Sequence, residues 1–123
     1  MSVNKVAAGL RGQNEAEKFL IARGIEILQR NYRVRFGEID LICREGGVII
    51  FAEVKFRSGT GFGSPAESVG YAKQQKIIRT AMHYIAANNL DDNDFRFDVI
   101  EVLEVLEKRN VVHVNQIENA FGV

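Results

Sequence analysis

Residues 37–55 read GEIDLICREGGVIIFAEVK. Two runs rich in isoleucine and valine flank Glu45-Gly46-Gly47, and a glycine pair between β-branched runs signals a hairpin with a tight primed turn, which needs positive φ. If Gly46 and Gly47 are the central turn residues, strands 38–44 and 48–55 pair so that Glu45 faces Val48, Asp40 faces Glu53 and Glu38 faces Lys55. Alternation then puts Glu38, Asp40, Ile42, Phe51, Glu53 and Lys55 on one face. Ile39, Leu41, Cys43, Val48, Ile50, Ala52 and Val54 take the other.

Four charges on one face of an apolar hairpin need a reason. Directly opposed side chains start with Cβ atoms about 5 Å apart, and two carboxylates at that spacing repel by roughly 3 kcal/mol at an effective dielectric near 20. Such a pair is held by a bridging cation, by protonation of one partner, or by access to water. Asp40 and Glu53 therefore read as oxygen ligands for a hard divalent ion, Mg²⁺ or Mn²⁺. Lys55, two residues beyond Glu53 on the same strand, reaches whatever such an ion holds and can orient a water or stabilise developing negative charge. The plainer alternative is a solvated hairpin face on which Glu38 and Lys55 form a cross-strand ion pair. A one-residue slip or a bulge at the glycines would break the opposition, but not the spacing within each strand.

Working outward, residues 5–23 are predicted as a helix: Ala16, Phe19, Leu20 and Arg23 recur at helical spacing, and Gly24 stands where a C′ glycine belongs. The stretch 26–36, EILQRNYRVRF, alternates as a strand with Arg33 and Arg35 on one side. After the hairpin comes a glycine-rich loop, then Ser64-Pro65-Ala66-Glu67, a capping box with proline at the first helical position. A helix running to about Ala87 follows, irregular at Gly70, with an apolar stripe of Ile77, Ala81, Tyr84 and Ile85. Beside it runs a polar stripe of Lys73, Lys76, Thr80 and His83. FRFDVIEVLEVL reads as a strand, Lys108-Arg109-Asn110 as a turn, and VVHV as a last short strand before a C-terminal helical turn. The order is helix, three antiparallel strands, helix, two strands: an α/β fold with a mixed central sheet flanked by helices, in one domain spanning 1–123.

Bulk properties narrow the function. Sixteen basic and sixteen acidic residues balance, so any polyanion site is local rather than spread over a basic surface. With 46% hydrophobic residues and no apolar run of membrane-spanning length, the composition is that of a soluble protein. The N-terminus lacks the apolar core of a secretory signal, and the one cysteine, Cys43, cannot form an internal disulfide. Both point to the cytoplasm. Cys43 lies on the face away from the carboxylates, which disfavours thiol chemistry, and His83 and His113 are isolated from any zinc-like spacing. GTGFG is followed by no Gly-Lys-Ser/Thr, so it is a connector or a loop over a groove with Phe62 as a wedge, not a phosphate-binding loop. Arg30, Arg33, Arg35, Arg57 and the Lys73/Lys76 stripe, with Tyr32, would suit a phosphate backbone. They would equally suit solvated edges.

An acidic residue on one strand followed by E-x-K on the next resembles the PD-(D/E)xK signature of restriction-endonuclease-like nucleases. Asp40, Glu53 and Lys55 hold its three positions, and Ile39 stands where the proline would. NYRVRFGEIDLI, VIIFAEVKFR, FGSPAESV with the following Lys73, and FRFDVIEV are similar, in order, to the blocks of the YraN-like family of predicted bacterial endonucleases. That resemblance covers nearly the whole chain and implies an αβββαβ core like that of archaeal Holliday-junction resolvases. It further implies Asp40 and Glu53 as metal ligands, the Val54 carbonyl as a third, and Lys55 as catalytic base or electrostatic helper. Glu38 and Lys73 are secondary candidates. Where such proteins carry a glutamate in the first helix, six residues before the aromatic Phe19, this chain has Gln13; Glu17, one turn along, is the nearest substitute. The expected activity is metal-dependent cleavage of DNA, branched or structured DNA included, and a homodimer would suit a substrate with two scissile strands. A catalytically weak nucleic-acid-binding module on the same fold is the alternative, and an interaction domain that binds no nucleic acid is a third.

Overall fold

The computed structural model describes residues 3–58, 69–105, 108 and 111–122. Its elements run α1 (Val3–Ala22), β1 (Glu26–Val34), β2 (Gly37–Glu45), β3 (Val48–Ser58), α2 (Tyr71–Ala87), β4 (Asp94–Glu104) and β5 (Val112–Phe121). The five strands form one mixed sheet in sequence order. β1, β2 and β3 are antiparallel neighbours, β3 and β4 are parallel, and β5 returns antiparallel to β4. The parallel step follows from α2, because a chain that re-enters a sheet in the same direction must cross over its face. This is the expected α/β architecture, consistent with a restriction-endonuclease-like core.

Each face of the sheet buries its own apolar layer. On the α2 side Ile42, Ile49, Phe51, Phe97 and Val99 pack against Ile77, Ala81, Tyr84 and Ile85, the helix stripe read from the sequence. Aromatic contacts knit this layer across the strands: Phe51 stacks on Phe97 and Phe97 on Phe121, while Tyr84 meets both Phe51 and Tyr32 edge-on. On the opposite side Leu41, Cys43, Ile50, Ala52, Ile100 and Val102 pack against Ala16 and Leu20 of α1. Gly12 brings α1 down on β3, since a Cβ there would lie 2.8 Å from the Phe56 Cβ.

The hairpin turn forms as expected. Glu45 pairs with Val48, and the ladder continues through Arg44–Ile49, Cys43–Ile50 and Ile42–Phe51 to Leu41–Ala52. Gly46 has φ 59, which only a residue without a Cβ adopts freely.

Three expectations are corrected. The polypeptide at Val69 and Gly70 is not helical, and α2 starts at Tyr71 with Gly70 in an extended conformation as its N-cap. The irregularity expected at Gly70 is thus the start of this helix, while the capping box, Phe62 and the glycine-rich loop lie outside the described residues. The C-terminal segment is the long strand β5 rather than a helical turn. β4 would otherwise present an open edge, and Phe121 gains a stacking partner in Phe97, 5.2 Å away, only by pairing there. Thr80, assigned to the polar stripe, is fully buried, its hydroxyl donating to the Lys76 carbonyl. Gly37 lets the helix come this close: a Cβ at that position would collide with the Thr80 hydroxyl.

Candidate active site at the opening between β2 and β3

The β2–β3 ladder stops at Leu41–Ala52, before the predicted Asp40–Glu53 and Glu38–Lys55 pairs. Alternation in β2 breaks at the same point. Ile39 packs in the α2-side layer and Leu41 in the α1-side layer, although two residues apart on a regular strand would share a face. Ile39 was expected beside Leu41. The break turns Asp40 toward the neighbouring strand, where its Oδ2 accepts a hydrogen bond of 2.8 Å from the Val54 N–H. A side-chain carboxylate thus takes the place of a ladder carbonyl, and the two strands open around it.

Asp40 and Glu53 come together without being directly opposed. Burial and then the charge of Glu53 push the Asp40 carboxyl up to about 6, against the Val54 hydrogen bond and the charge of Lys73. Glu53 is itself buried. Its Oε1 lies 2.7 Å from Lys73 Nζ and 3.8 Å from Lys55 Nζ, so one carboxylate oxygen faces two ammonium groups. Burial, followed by the nearby charge of Lys73, lowers the Lys55 pKa, while Glu53 and Asp40 act in the opposite sense. Burial also works against the Lys73 ammonium, but its hydrogen bond to Glu53 and the charge of that carboxylate prevail and raise its pKa. Asp40, Glu53, Lys55 and Lys73 therefore form one electrostatic unit drawn from β2, β3 and α2.

The other predicted residues divide. Glu38 is paired with Arg33 across the β1–β2 ladder at 2.7 Å, not with Lys55. It lines a groove of about 410 Å³ beside the carboxylates, together with Gly37, Ala72, Lys73, Lys76 and Ile77. Arg35 is exposed in the turn after β1, and Arg57 is half-buried on β3, two residues past Lys55. Gln13 is half-buried on α1, next to the Gly12–Phe56 contact. Glu17 is engaged elsewhere: Arg30 Nε donates to its Oε1 at 2.7 Å, and its charge helps raise the Cys43 thiol on the α1 side. Arg30 is thereby drawn away from the cluster in which the sequence placed it. His83 accepts or donates a 2.7 Å hydrogen bond with the Tyr32 hydroxyl.

Two buried acids were not singled out from the sequence. Glu101 is 6% exposed and in register beside Lys55. Alternation with Ile100 and Val102, which face α1, puts it on the α2 side; its place inside the apolar run DVIEVL was the available signal. Asp98 is fully buried and accepts hydrogen bonds from Arg96, Gln116 and the Asn119 N–H, clamping β5 to β4. Among the described residues no group of three or more His, Cys, Asp or Glu side chains is arranged to hold a metal. A cation held here would have the two carboxylates of Asp40 and Glu53 to draw on.

Taken together these features define an α/β protein with a carboxylate pair, Glu53 buried and Asp40 half-buried, and two lysines where its sheet opens. A family model described as an uncharacterised protein family, UPF0102, matches residues 12–102, and the chain belongs to that family. It is 47% identical over 119 residues to a UPF0102 protein of Clostridioides difficile, covering 97% of this chain and all of that one. It is 44% identical over 119 residues to one of Caldanaerobacter subterraneus, covering 97% and 98%. A UPF0102 protein of Clostridium tetani is 49% identical over 102 residues, 83% of each chain. Among the described residues no helix is long and apolar enough to cross a membrane.

Proposed function

We propose that this UPF0102 protein is a metal-dependent nuclease that hydrolyses phosphodiester bonds in DNA, branched or structured DNA included, in the cytoplasm. The observation that carries the reading is the convergence of half-buried Asp40 with buried Glu53, two carboxylates that repel one another, with Lys55 two residues from Glu53. A fold does not keep two such carboxylates together for stability; a pair of this kind fits a divalent cation. The donor set suits Mg²⁺ or Mn²⁺, since Asp40, Glu53 and the Val54 carbonyl offer hard oxygens and leave room for water. Bound there, the ion would lower the pKa of a coordinated water and polarise the phosphoryl oxygen.

The chain's own residues supply the rest. Lys55, whose ammonium form is disfavoured by burial, accepts a proton from the attacking water or stabilises charge on the phosphorus-centred transition state. Arg33, Arg35, Arg57 and Lys76, on β1, its following turn, β3 and α2, hold the phosphate backbone on either side. A homodimer would present two such sites to a substrate with two scissile strands.

Cleavage of linear and four-way-junction DNA with Mg²⁺ or Mn²⁺ tests this. Asp40→Ala and Glu53→Ala should abolish it with the fold retained, and activity surviving either change would sink the assignment. Arg33→Ala and Lys76→Ala should each weaken DNA binding and lower the slope of log affinity against log salt by about one. Gln13, neutral where the resembling nucleases carry a glutamate, favours a second reading: a nucleic-acid-binding module on the same fold. It predicts the same salt-dependent binding without turnover in any metal.

A further inference from the structure

The two lysines at Glu53 are held differently. Lys55 is tied to Glu53 by the strand they share, and its side chain is 22% exposed. Lys73 comes from the first turn of α2 and reaches inward from the rim, its side chain 49% exposed, to meet a carboxylate only 8% exposed. It is the closer of the two, at 2.7 Å, and it is the one free to leave. The groove of about 410 Å³ whose wall it shares with Lys76 gives it room, and Glu38 offers a second carboxylate on that wall.

A divalent ion on Asp40 and Glu53 would need the lone pairs of the same Glu53 oxygen, and it would repel an ammonium that close. Resting on the metal-site reading above, we propose that Lys73 is an internal counter-ion that closes the carboxylate pair in the metal-free protein. It swings into the groove when a divalent cation loads, and there pairs with Lys76 to take a substrate phosphate. Lys73 is a positioning residue on this view: it governs access to Glu53 without contributing to the bond-breaking step. Metal and nucleic acid then favour one another's binding, since each stabilises the arrangement in which Lys73 has left Glu53.

Titration calorimetry of the full chain with Mn²⁺ alone, alongside thermal melts in chelator, tests the proposal. Lys73→Met should bind Mn²⁺ about fivefold more tightly than the wild type, the order expected for removing one partly exposed ion pair, yet melt at a lower temperature without metal because buried Glu53 loses its hydrogen-bonded partner and keeps only Lys55 at 3.8 Å. Lys73→Arg, which keeps the charge, should behave as wild type, and Lys76→Met should leave Mn²⁺ affinity unchanged. A structural role for Lys73 would weaken both stability and metal binding together. Equal Mn²⁺ affinity in Lys73→Met and wild type, with binding lost in Asp40→Asn, would overturn the counter-ion role and leave the metal site standing. Absence of Mn²⁺ binding in every variant, or binding undiminished in Asp40→Asn, would overturn the metal-site reading and the counter-ion role with it.

Discussion

Replacing Asp40 by Asn should make the metal-free protein more stable at alkaline pH, and the size of the gain follows from the site. Burial and Glu53 raise the Asp40 carboxyl from the usual 3.8 to about 6. Between these values the folded state binds more protons than the unfolded state, so stability falls as pH rises through the interval. Below 3.8 the group costs nothing, and above 6 its ionised form costs the folded state about 3 kcal/mol. Asparagine removes the charge and keeps an amide oxygen able to accept the 2.8 Å hydrogen bond from the Val54 N–H. Urea unfolding in chelator, at intervals from pH 4 to pH 8, should show the two proteins close together at pH 4. Their difference should open through pH 6 and level off at about 1–3 kcal/mol in favour of the variant, the lower figure allowing for solvent that enters when the carboxylate ionises. Saturating Mn²⁺ should narrow the gap by stabilising the wild type alone. A variant no more stable than the wild type at pH 8 would show that the two carboxylates are not forced together and would remove the main support for an ion site.

Three further outcomes follow from the packing. Gly37→Ala should destabilise the protein by about 1–3 kcal/mol, because the new methyl meets the Thr80 hydroxyl and the Lys76 carbonyl; adding Thr80→Ala should recover part of the loss in urea melts. The Cys43 thiol, buried and pushed up to about 12 chiefly by desolvation and then by the charges of Asp98 and Glu17, should resist alkylating reagents at pH 8 in the native protein and react on unfolding. Asp98→Ala should cost about 2–4 kcal/mol, since it leaves Arg96, Gln116 and the Asn119 N–H without their shared acceptor. Its amide-exchange protection should fall first along β5.

At one place in this fold the side chains work against the stability of the sheet. The paired segment of the β2–β3 hairpin is regular and apolar, with Ile42, Phe51, Cys43 and Ile50 satisfying both layers. The next residue on each strand is a carboxylate, and there the ladder opens. An apolar pair at Asp40 and Glu53 would continue the sheet at no electrostatic cost. The Asp40 charge works against the stability of the isolated protein, a cost that the ion proposed above would offset.

The hairpin register from Glu45–Val48 to Leu41–Ala52 and the helix stripe of Ile77, Ala81, Tyr84 and Ile85 were legible from local pattern. Glycine pairs dictate turns, and side-chain periodicity dictates which face is buried, whatever the chain does further off. The continuation of the last strand from VVHV to Phe121 as β5, the burial of Thr80 and the capture of Glu17 by Arg30 were not legible. Each depends on a partner distant in sequence: an open β4 edge, a glycine on β2, an arginine on β1. The same holds at the site. Spacing along two strands placed the carboxylates near one another, but the outward turn of Asp40 onto the Val54 N–H and the ammonium of Lys73 on Glu53 required β2, β3 and α2 to meet. Sequence by itself determined which residues share a strand or helix face, because periodicity is a property of the local backbone; only the tertiary structure decided which of them touch, because hydrogen bonds and charge pairs act over a few ångströms that the chain must first fold to close.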